Sequence, residues 1–494
     1  MKIRTAFHRK IEAALCRRDR WWWVLCLSLT AGAGGLLVRS ELPVRPDAVS
    51  ILAAGLVFSG AAYMLFLLIS SWFYRDCPET ADDPPGCTVI VPAYNEGRHV
   101  AATLYSLLRS GYPADRLRII AVNDGSADDT LYWMERVRRE SGNRITVIDL
   151  KRNQGKKHAL YRGMKLAETE FIVTVDSDSL VAPGALRELL RPFADPRVGA
   201  VAGNLRGKRN DRNFFAVMMD VALVYGCEIL RTAQSVAGVV FCTPGAFSAY
   251  RRRAVLPVLD EWLAQKFLGS PATIGEDRAI ATLLLREDWR IVHQRRATAE
   301  TCLPHDYLKL CRMLLRWNRS DYRENLNMLP MFRGGKKWSA RNALIAVHWL
   351  FLGLNMLLPL VGIPLAGWMF CGPCGTVRML AWWFLGAALW SIPPALVYGV
   401  RRSFPAVIRA IVFGVFAVPA LSYLSVYALF TLGDSRWLTR EIRRKKSGGT
   451  YSLEAAPHSG RAVLEKFPAW RSPGVGHVRS RAPETRSQHA VIRK

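Results

Sequence analysis

Acidic residues are scarce in this sequence of 494 residues, because 40 Asp and Glu stand against 68 Lys and Arg and leave a net charge of +28. A soluble protein with this imbalance would be a candidate for nucleic-acid binding. Charge of either sign is absent, however, from two long apolar runs, residues 21–38 and 50–73. Further apolar blocks span residues 343–370, 379–400 and 410–432, and each block is about long enough to cross a bilayer core of roughly 20 residues. The sequence therefore predicts a protein of the lipid bilayer without a nucleic-acid partner.

The distribution of basic residues predicts how the chain crosses the membrane. Residues 1–20 hold seven Lys and Arg, so we expect a cytoplasmic N-terminus followed by two transmembrane helices within residues 21–73. A cleaved signal peptide is the alternative interpretation of residues 1–40, and the long basic leader and the second apolar run disfavour it. The other expected parts are a cytoplasmic domain at residues 75–300, amphipathic interface helices at 301–340, three or four transmembrane helices at 343–432 and a basic, disordered tail at 433–494.

The sequence also lacks a cysteine framework. Its ten cysteines follow no regular spacing, which favours a reducing cytoplasm over a disulfide-stabilised secreted fold. Cys371 and Cys374 have the C-x-x-C spacing of redox proteins, but they enclose Gly-Pro between two apolar blocks, which favours a plain turn. The histidines show no spacing typical of metal ligands either.

Residues 75–340 alternate between strand and helix patterns. Short apolar stretches rich in β-branched residues predict strands at 87–92, 117–123, 144–150, 170–176 and 198–203. Helical patterns lie between them, near residues 97–110, 127–140, 156–168 and 183–194. This alternation predicts an α/β, Rossmann-like, mainly parallel sheet. No G-x-G-x-x-G follows the first strand, so a dinucleotide site is disfavoured.

Polar residues stand where the predicted strands end, which is where parallel sheets bind ligands. Asp176 and Asp178 follow a buried strand two positions apart, so their carboxylates face the same side and repel unless a cation lies between them. Carboxylate oxygens completed by phosphates are ligands that Mg²⁺ or Mn²⁺ prefers. Other acidic residues stand at the ends of neighbouring predicted strands, and residues 151–157 form a basic stretch. Together with Asp176 and Asp178, these residues predict a nucleoside-diphosphate site that uses a metal ion. A D-x-D alone is most often a solvated loop.

Five motifs follow one another in a characteristic order. They are V-P-A-Y-N-E at residues 91–96, N-D-G-S-x-D-D at 123–129, D-S-D at 176–178, G-E-D at 275–277 and R-W at 316–317. This order resembles the family 2 glycosyltransferases, and more closely the membrane-embedded processive synthases of hyaluronan, rhizobial chitooligosaccharides and poly-N-acetylglucosamine. The resemblance covers roughly residues 50–440. It implies a cytoplasmic GT-A domain inserted between helical transmembrane segments of a bacterial inner membrane.

The resemblance implies a donor and metal site. Tyr94, Glu96 and Asp124 would hold the uridine of a UDP-sugar donor, and Lys156 would lie near it. Asp176 and Asp178 would form the D-x-D motif, with Asp178 reaching the Mg²⁺ or Mn²⁺ ion.

The resemblance also implies the reacting groups. Asp277 would be the general base, Arg316 would meet the diphosphate, and Trp317 would stack on the acceptor sugar. The acceptor site would be lined by Gly245, Ala246, Phe247 and Tyr250. Two simpler interpretations stay open: a carboxylate favoured by a helix N-terminus for Asp277, and an interfacial anchor for Trp317.

Two positions depart from the family pattern. Asn123 replaces the first carboxylate of the usual Asp-Asp-Gly-Ser, and Met313 replaces the glutamine of the processive signature Q-x-x-R-W. Catalysis is less affected than processivity, because the carboxylates for the metal and the base remain.

Together these features predict a metal-dependent, inverting hexosyltransferase that polymerises a β-linked polysaccharide and passes the growing chain through its own spans. UDP-N-acetylglucosamine is the favoured donor, and a second donor, UDP-glucuronate, is left open. A non-processive transferase that adds one sugar to a lipid or short acceptor is the alternative that Met313 favours. A nucleic-acid-binding membrane protein with an inactive transferase domain is disfavoured by the intact acidic motifs.

Overall fold

The computed structural model describes most of the chain. The described residues are 48–79, 83–208, 213–333, 339–370, 391–401, 406–434, 442–447 and 450–455. The predicted first span at residues 21–38, the pair Cys371 and Cys374, and most of the predicted tail lie outside the described residues.

An eight-stranded sheet is the centre of the described chain. Its strands are β1 (Cys87–Ala93), β2 (Leu117–Asp124), β3 (Ile145–Leu150), β4 (Phe171–Thr174), β5 (Leu180–Val181), β6 (Val198–Gly207), β7 (Ser248–Arg251) and β10 (Arg290–Thr301). Two short hairpins accompany it, formed by β8 (Lys266–Phe267) with β9 (Ser270–Pro271) and by β11 (Ile442–Ser447) with β12 (Thr450–Ala455).

The spatial order of the strands is β3-β2-β1-β4-β7-β6-β10-β5. Strands β1, β2, β3 and β4 run parallel, as do β6 and β10. Strand β7 is antiparallel to both β4 and β6, and β5 is antiparallel to β10. The prediction of a largely parallel α/β sheet is confirmed, and the antiparallel strand in its middle was not predicted.

Helices surround the sheet and continue beyond it. Before β7 they are α1 (Ala48–Trp72), α2 (His99–Leu108), α3 (Thr130–Glu140), α4 (Lys156–Leu166), α5 (Ala185–Leu190), α6 (Phe214–Tyr225) and α7 (Arg231–Ala237). After β7 they are α8 (Arg252–Val255), α9 (Leu259–Ala264), α10 (Glu276–Arg286), α11 (Tyr307–Asn327), α12 (Pro330–Arg333), α13 (Ala340–Phe370), α14 (residues 391–401), α15 (Ala406–Leu421) and α16 (Tyr423–Phe430).

Alternation along the strands creates a hydrophobic layer on each face of the sheet. In β1, Val89 and Val91 pack in the layer that contains α2, α3 and α5. The residue between them, Ile90, packs in the opposite layer with α4, α9 and α10. Because both faces are covered, β1 is buried along its whole length, which is why it reads as an apolar run in the sequence.

The helices outside the sheet pack on α6 and the π-helical turn Gly226–Leu230. The Ser71 hydroxyl of α1 donates to the Ile229 carbonyl at 3.0 Å, and the Tyr398 hydroxyl of α14 donates to the buried Asp220 carboxylate at 3.0 Å. Among the residues that the structure describes, no helix combines the length and the apolar character needed to cross a bilayer.

Candidate active site

The predicted carboxylate pair lies in a turn, because β4 ends at Thr174 and not at residue 176. The Thr103 hydroxyl of α2 donates to the backbone carbonyl of Ser177 at 2.8 Å, and the Ser177 side chain is buried. This contact fixes the middle of the turn. Asp176 and Asp178 therefore leave the sheet at the carboxyl end of β4, where the sequence placed them.

A lysine lies beside the first of these carboxylates. Lys156 Nζ is 2.6 Å from Asp176 Oδ1 and 2.8 Å from Glu276 Oε1. Burial pulls the pKa of Lys156 down, but the two carboxylates outweigh burial and leave the pKa above its usual value. A Cβ on Gly245 would stand 2.7 Å from the same ammonium, so a larger residue there would displace the lysine from this position. We call Lys156, Asp176, Gly245, Glu276 and Asp277 the acidic centre.

The G-E-D motif begins α10. Gly275 caps the helix with a φ of +77°, and a Cβ there would stand 1.7 Å from Ser320 Oγ of α11. Both facts require glycine, since other residues adopt this φ at a cost and the space is filled. Asp277 lies in the first turn of the helix, where its Oδ1 accepts a hydrogen bond from the backbone N–H of Arg278 at 2.9 Å. The positive end of the helix dipole also favours a carboxylate at this position.

The proton affinity of Asp277 suits a base. Burial and the neighbouring Glu276 carboxylate raise the pKa of Asp277 to about 6, against the charges of Lys156 and Arg316, which lower it. The Cys242 thiol lies 3.6 Å from Asp277 Oδ2, and burial, followed by Asp277 itself, raises the pKa of this thiol. Cys242 is therefore a neutral donor. At neutral pH Asp277 is ionised and can accept a proton.

Helix α11 presents the R-W motif to this centre. Arg316 is close enough for its charge to lower the pKa of both Glu276 and Asp277. Trp317 is half-buried and packs against the hydrophobic layer of α2 and α3. Met313, four residues before Trp317, packs with Met218. Of the residues predicted to carry the chemistry, Asp277 and Arg316 thus lie together at the start of α10, beside Lys156 at the start of α4.

The far side of α11 is fixed to the C-terminal part of the chain. Arg319 and Arg323 are both 2% exposed. Arg319 Nε donates to the Thr431 hydroxyl at 3.1 Å, and Arg323 Nε donates to the Leu432 carbonyl at 2.7 Å. Arg319 also pairs with the Asp434 carboxylate at 3.2 Å. The helix that carries Arg316 is therefore held by the segment that follows α16.

The donor residues predicted after β2 form a hydrogen-bonded edge. Both carboxylate oxygens of Asp124 accept backbone N–H groups at 2.9 Å, one from Gln154 and one from Gly155. The Asn123 amide donates to the Asp149 carboxylate at 2.7 Å. Gly125 has a φ of +65°, and a Cβ there would stand 2.5 Å from the backbone of Arg152. We call Asn123, Asp124, Gly125 and the loop 151–155 the donor edge.

Tyr94 and Glu96 lie half-buried after β1. The Glu96 backbone N–H donates to the Thr130 hydroxyl at 2.8 Å, which fixes the loop against α3. The contact of Tyr94, Glu96 and Asp124 with uridine stays a prediction. Lys156 was predicted to lie near the uridine as well, and the structure shows its ammonium in the acidic centre.

The predicted acceptor residues divide into two groups. Gly245 belongs to the acidic centre, and Ala246 follows it with 7% of its surface exposed. Phe247 and Tyr250 are buried in the two hydrophobic layers of the sheet. The Tyr250 hydroxyl donates to Thr243 Oγ1 at 3.0 Å. The side chains of Phe247 and Tyr250 thus support the loop from within the sheet layers, and the acceptor role of the four residues stays a prediction.

The metal prediction rests on carboxylates alone. Within the described part of the chain, no group of three or more His, Cys, Asp or Glu side chains could hold a metal ion. A hard divalent cation needs no such group, since one or two carboxylates and the phosphates of a substrate are the usual ligands of Mg²⁺. Asp178, with Asp176 in the same turn, fits that donor set.

Sequence reasoning missed two groups that shape the site. Glu276 was treated as the middle letter of a motif, yet its buried carboxylate is the second partner of Lys156. Arg278 is buried and donates to Asp321 at 2.8 Å and to Asn325 at 2.7 Å, which joins α10 to α11. The signal was present in the sequence, because four residues in a row at 275–278 are glycine or charged.

Comparison with known proteins agrees with the fold and the motifs. The sequence model described as Glycosyl transferase family 2 matches residues 88–257. An N-acetylglucosaminyltransferase of Azorhizobium caulinodans is 30% identical over 403 residues, which cover 80% of this chain and 98% of that protein. Its counterpart in Rhizobium meliloti is 29% identical over 393 residues, which cover 78% of this chain and 87% of that protein.

A solved structure shares the fold. It is a mannosyltransferase of Pyrobaculum calidifontis in complex with GDP-Man and Mn²⁺, with a TM-score of 0.52 and 22% sequence identity, and the match covers 72% of this chain and 96% of that one. The sheet, the order of the motifs and the extent of the match to the Azorhizobium protein agree, and the chain belongs to glycosyl transferase family 2.

Proposed function

We propose that this protein is a metal-dependent, inverting N-acetylglucosaminyltransferase of the bacterial inner membrane that builds a β-linked polysaccharide from UDP-N-acetylglucosamine. The observation that carries the proposal is Asp277, a buried carboxylate in the first turn of a helix whose pKa is raised to about 6, next to Glu276, which shares Lys156 with the D-S-D turn. The choice of sugar is supported by relatives named N-acetylglucosaminyltransferase.

Asp277 takes the proton from the acceptor hydroxyl as that oxygen attacks the donor sugar. Its carboxylate is oriented from two sides, by the Arg278 backbone N–H at 2.9 Å and by the Cys242 thiol at 3.6 Å. A single displacement on an α-linked donor inverts the anomeric carbon and gives a β-linked product. General-base catalysis of this kind contributes typically about 10²–10⁴-fold to the rate.

The leaving group is stabilised by positive charge. Arg316 supplies a fixed guanidinium at the edge of the acidic centre, where it faces the diphosphate. A divalent cation on Asp178 would neutralise the charge that grows on the departing phosphates. Trp317 offers an apolar ring face to the terminal sugar of the acceptor.

The membrane setting and the polymer product belong to the same proposal. Apolar blocks flank the catalytic domain in the sequence, and Ile345 and Trp349 of α13 pack in one hydrophobic layer of the sheet. We expect the catalytic domain on the cytoplasmic side, with a growing chain that passes from Trp317 into the helices after α11.

A second candidate is a transferase that adds a single sugar to a lipid or short glycan. It is favoured by Met313, whose thioether packs with Met218, Met219 and Leu310. An apolar thioether accepts hydrogen bonds weakly, so it cannot replace the amide of a glutamine.

The test incubates membranes containing the protein with each radiolabelled UDP-sugar, alone and in pairs. We expect incorporation from UDP-N-acetylglucosamine alone, into a product that a β-N-acetylglucosaminidase or chitinase degrades. A product formed only with UDP-glucuronate and cut by hyaluronidase would replace the proposed polymer by hyaluronan. Acceptors extended by one sugar would support the second candidate, and no incorporation from any donor would overturn the proposal.

A further inference from the structure

Lys156 forms an ion pair with one carboxylate of each of the two acidic motifs. Its ammonium lies 2.6 Å from Asp176, the first acid of D-S-D, and 2.8 Å from Glu276, the first acid of G-E-D. Among the described residues, the ion pairs of this lysine are with the first acid of each motif and not with Asp178 or Asp277. One cation therefore joins the two acidic motifs through their first acids.

The arrangement is built into the fold. The Glu276 side chain is 4% exposed and the Lys156 side chain 19% exposed, so either charge without the other would be costly to bury. Gly245 leaves room for the ammonium, since a Cβ there would stand 2.7 Å from Nζ. The three charged groups come from the end of β4 and the starts of α4 and α10, so their pairing fixes the relative position of these elements.

We propose that Lys156 is a positioning residue that clamps Asp176 and Glu276, so that Asp178 serves as the metal-binding carboxylate and Asp277 as the base. This inference rests on the proposed function for the identity of the metal and of the reaction. It assigns Asp176 and Glu276 to the clamp, and it places Lys156 in the reacting centre of the site.

The clamp also sets the charge that Asp277 experiences. The groups that face its carboxylate are Glu276 on its own helix, Lys156 on α4, Arg316 on α11, the Cys242 thiol before β7 and the Tyr250 hydroxyl on β7. Loss of the Lys156 charge removes attraction for the ionised form of Asp277, and loss of the Glu276 charge removes repulsion. The two substitutions therefore move the proton affinity of Asp277 in opposite directions.

The first test is a double-mutant cycle on the melting temperature of the full chain in detergent. Lys156→Met and Glu276→Gln should each lower the melting temperature, and the double variant should lose clearly less than the sum, because neither partner is left unpaired. Lys157→Met is the matched control. Lys157 is the next residue on the same helix and is more deeply buried, but its ammonium donates to the Ala272 carbonyl at 3.1 Å. Its cycle with Glu276→Gln should be closer to additive.

The second test measures Mn²⁺ affinity by electron paramagnetic resonance in the presence of UDP, without turnover. Asp178→Asn should weaken binding about tenfold or more, whereas Asp176→Asn should change it by less than about threefold. In the pH profile of kcat/KM, Lys156→Met should move the acid limb up by about one unit, Glu276→Gln should move it down, and the double variant should return it toward the wild type.

The outcomes separate the clamp from the proposed function. An additive Lys156–Glu276 cycle, or equal loss of Mn²⁺ affinity in Asp176→Asn and Asp178→Asn, would overturn the clamp even in a chain that transfers sugar. A coupled cycle in a chain that turns over no UDP-sugar would support the clamp and overturn the proposed function.

Discussion

The donor edge follows β2 and the acidic centre follows β4, on the two sides of β1 in the sheet, yet different forces hold them. In the donor edge, both carboxylate oxygens of Asp124 accept hydrogen bonds from backbone N–H groups. In the acidic centre, Lys156 is shared by two carboxylates on separate elements. The first is closed by hydrogen bonds to backbone groups, and the second joins three elements by charge. We therefore expect the donor edge to respond to changes of geometry and the centre to changes of charge.

The largest effect is expected for Asp178→Asn, which removes one negative charge beside the centre at constant shape. Sugar transfer should fall by about 10³-fold or more, because a carboxylate ligand of the divalent cation is lost. The measurement is the initial rate with Mn²⁺ varied, together with UDP affinity with and without the ion. Wild-type protein in excess chelator is the control and should resemble the variant. Normal transfer in either case would contradict metal dependence.

The next largest effect is expected for Asp277→Asn. Turnover should fall by at least about 10²-fold, while UDP affinity stays unchanged, because the base is lost but the donor edge is intact. The wild-type rate should also fall about tenfold per unit as the pH drops below about 6, where Asp277 becomes protonated. The residual rate of the variant should lack this acid limb. A variant that lost donor affinity and kept its turnover would contradict the assignment of Asp277 as the general base.

A smaller effect, of a different kind, is expected at the donor edge. Asp124→Asn keeps one accepting oxygen and places an NH₂ group against a backbone N–H, which leaves that donor unpaired at a cost of roughly 1–3 kcal/mol. UDP affinity should weaken about tenfold, with turnover at saturating donor close to the wild type. The matched control is Asn123→Asp, which sets two carboxylates side by side at Asp149. Loss of turnover alone in Asp124→Asn would contradict the division between the two regions.

The smallest effect is expected for Met313→Gln, outside both regions. The amide restores a hydrogen-bonding group near Trp317, so the product should lengthen roughly twofold, with little change in the rate per sugar. Product length on gels at low enzyme and high donor measures this, and Trp317→Ala is the opposing control that should shorten the product. Acceptors extended by a single sugar in both the wild type and Met313→Gln would contradict the polymer proposal.

The fold was readable from the sequence because β1, β2 and β4 are buried apolar runs that end in polar motifs. The sequence could not show the position of β7 in the sheet, because strand order depends on contacts between distant segments. It also could not show the partner of Asp176. The acids were visible as a pair that needed a cation, but Lys156 stands twenty residues earlier and Glu276 a hundred residues later. The sequence also could not show that Phe247 and Tyr250 are buried, because the residue types of a motif do not show on which face of a loop each side chain lies.

The tie between α11 and the segment after α16 has a consequence for the order in which the protein is made. Arg319 and Arg323 bind residues more than one hundred positions later, at Thr431, Leu432 and Asp434. During synthesis the sheet, the D-S-D turn and the G-E-D helix therefore leave the ribosome long before the contacts that seat Arg316 exist. The sheet and the two acidic motifs can therefore assemble early, whereas the helix that carries Arg316 is fixed only after the last apolar block has been translated. We expect the candidate site to be the last part of the described fold to become complete.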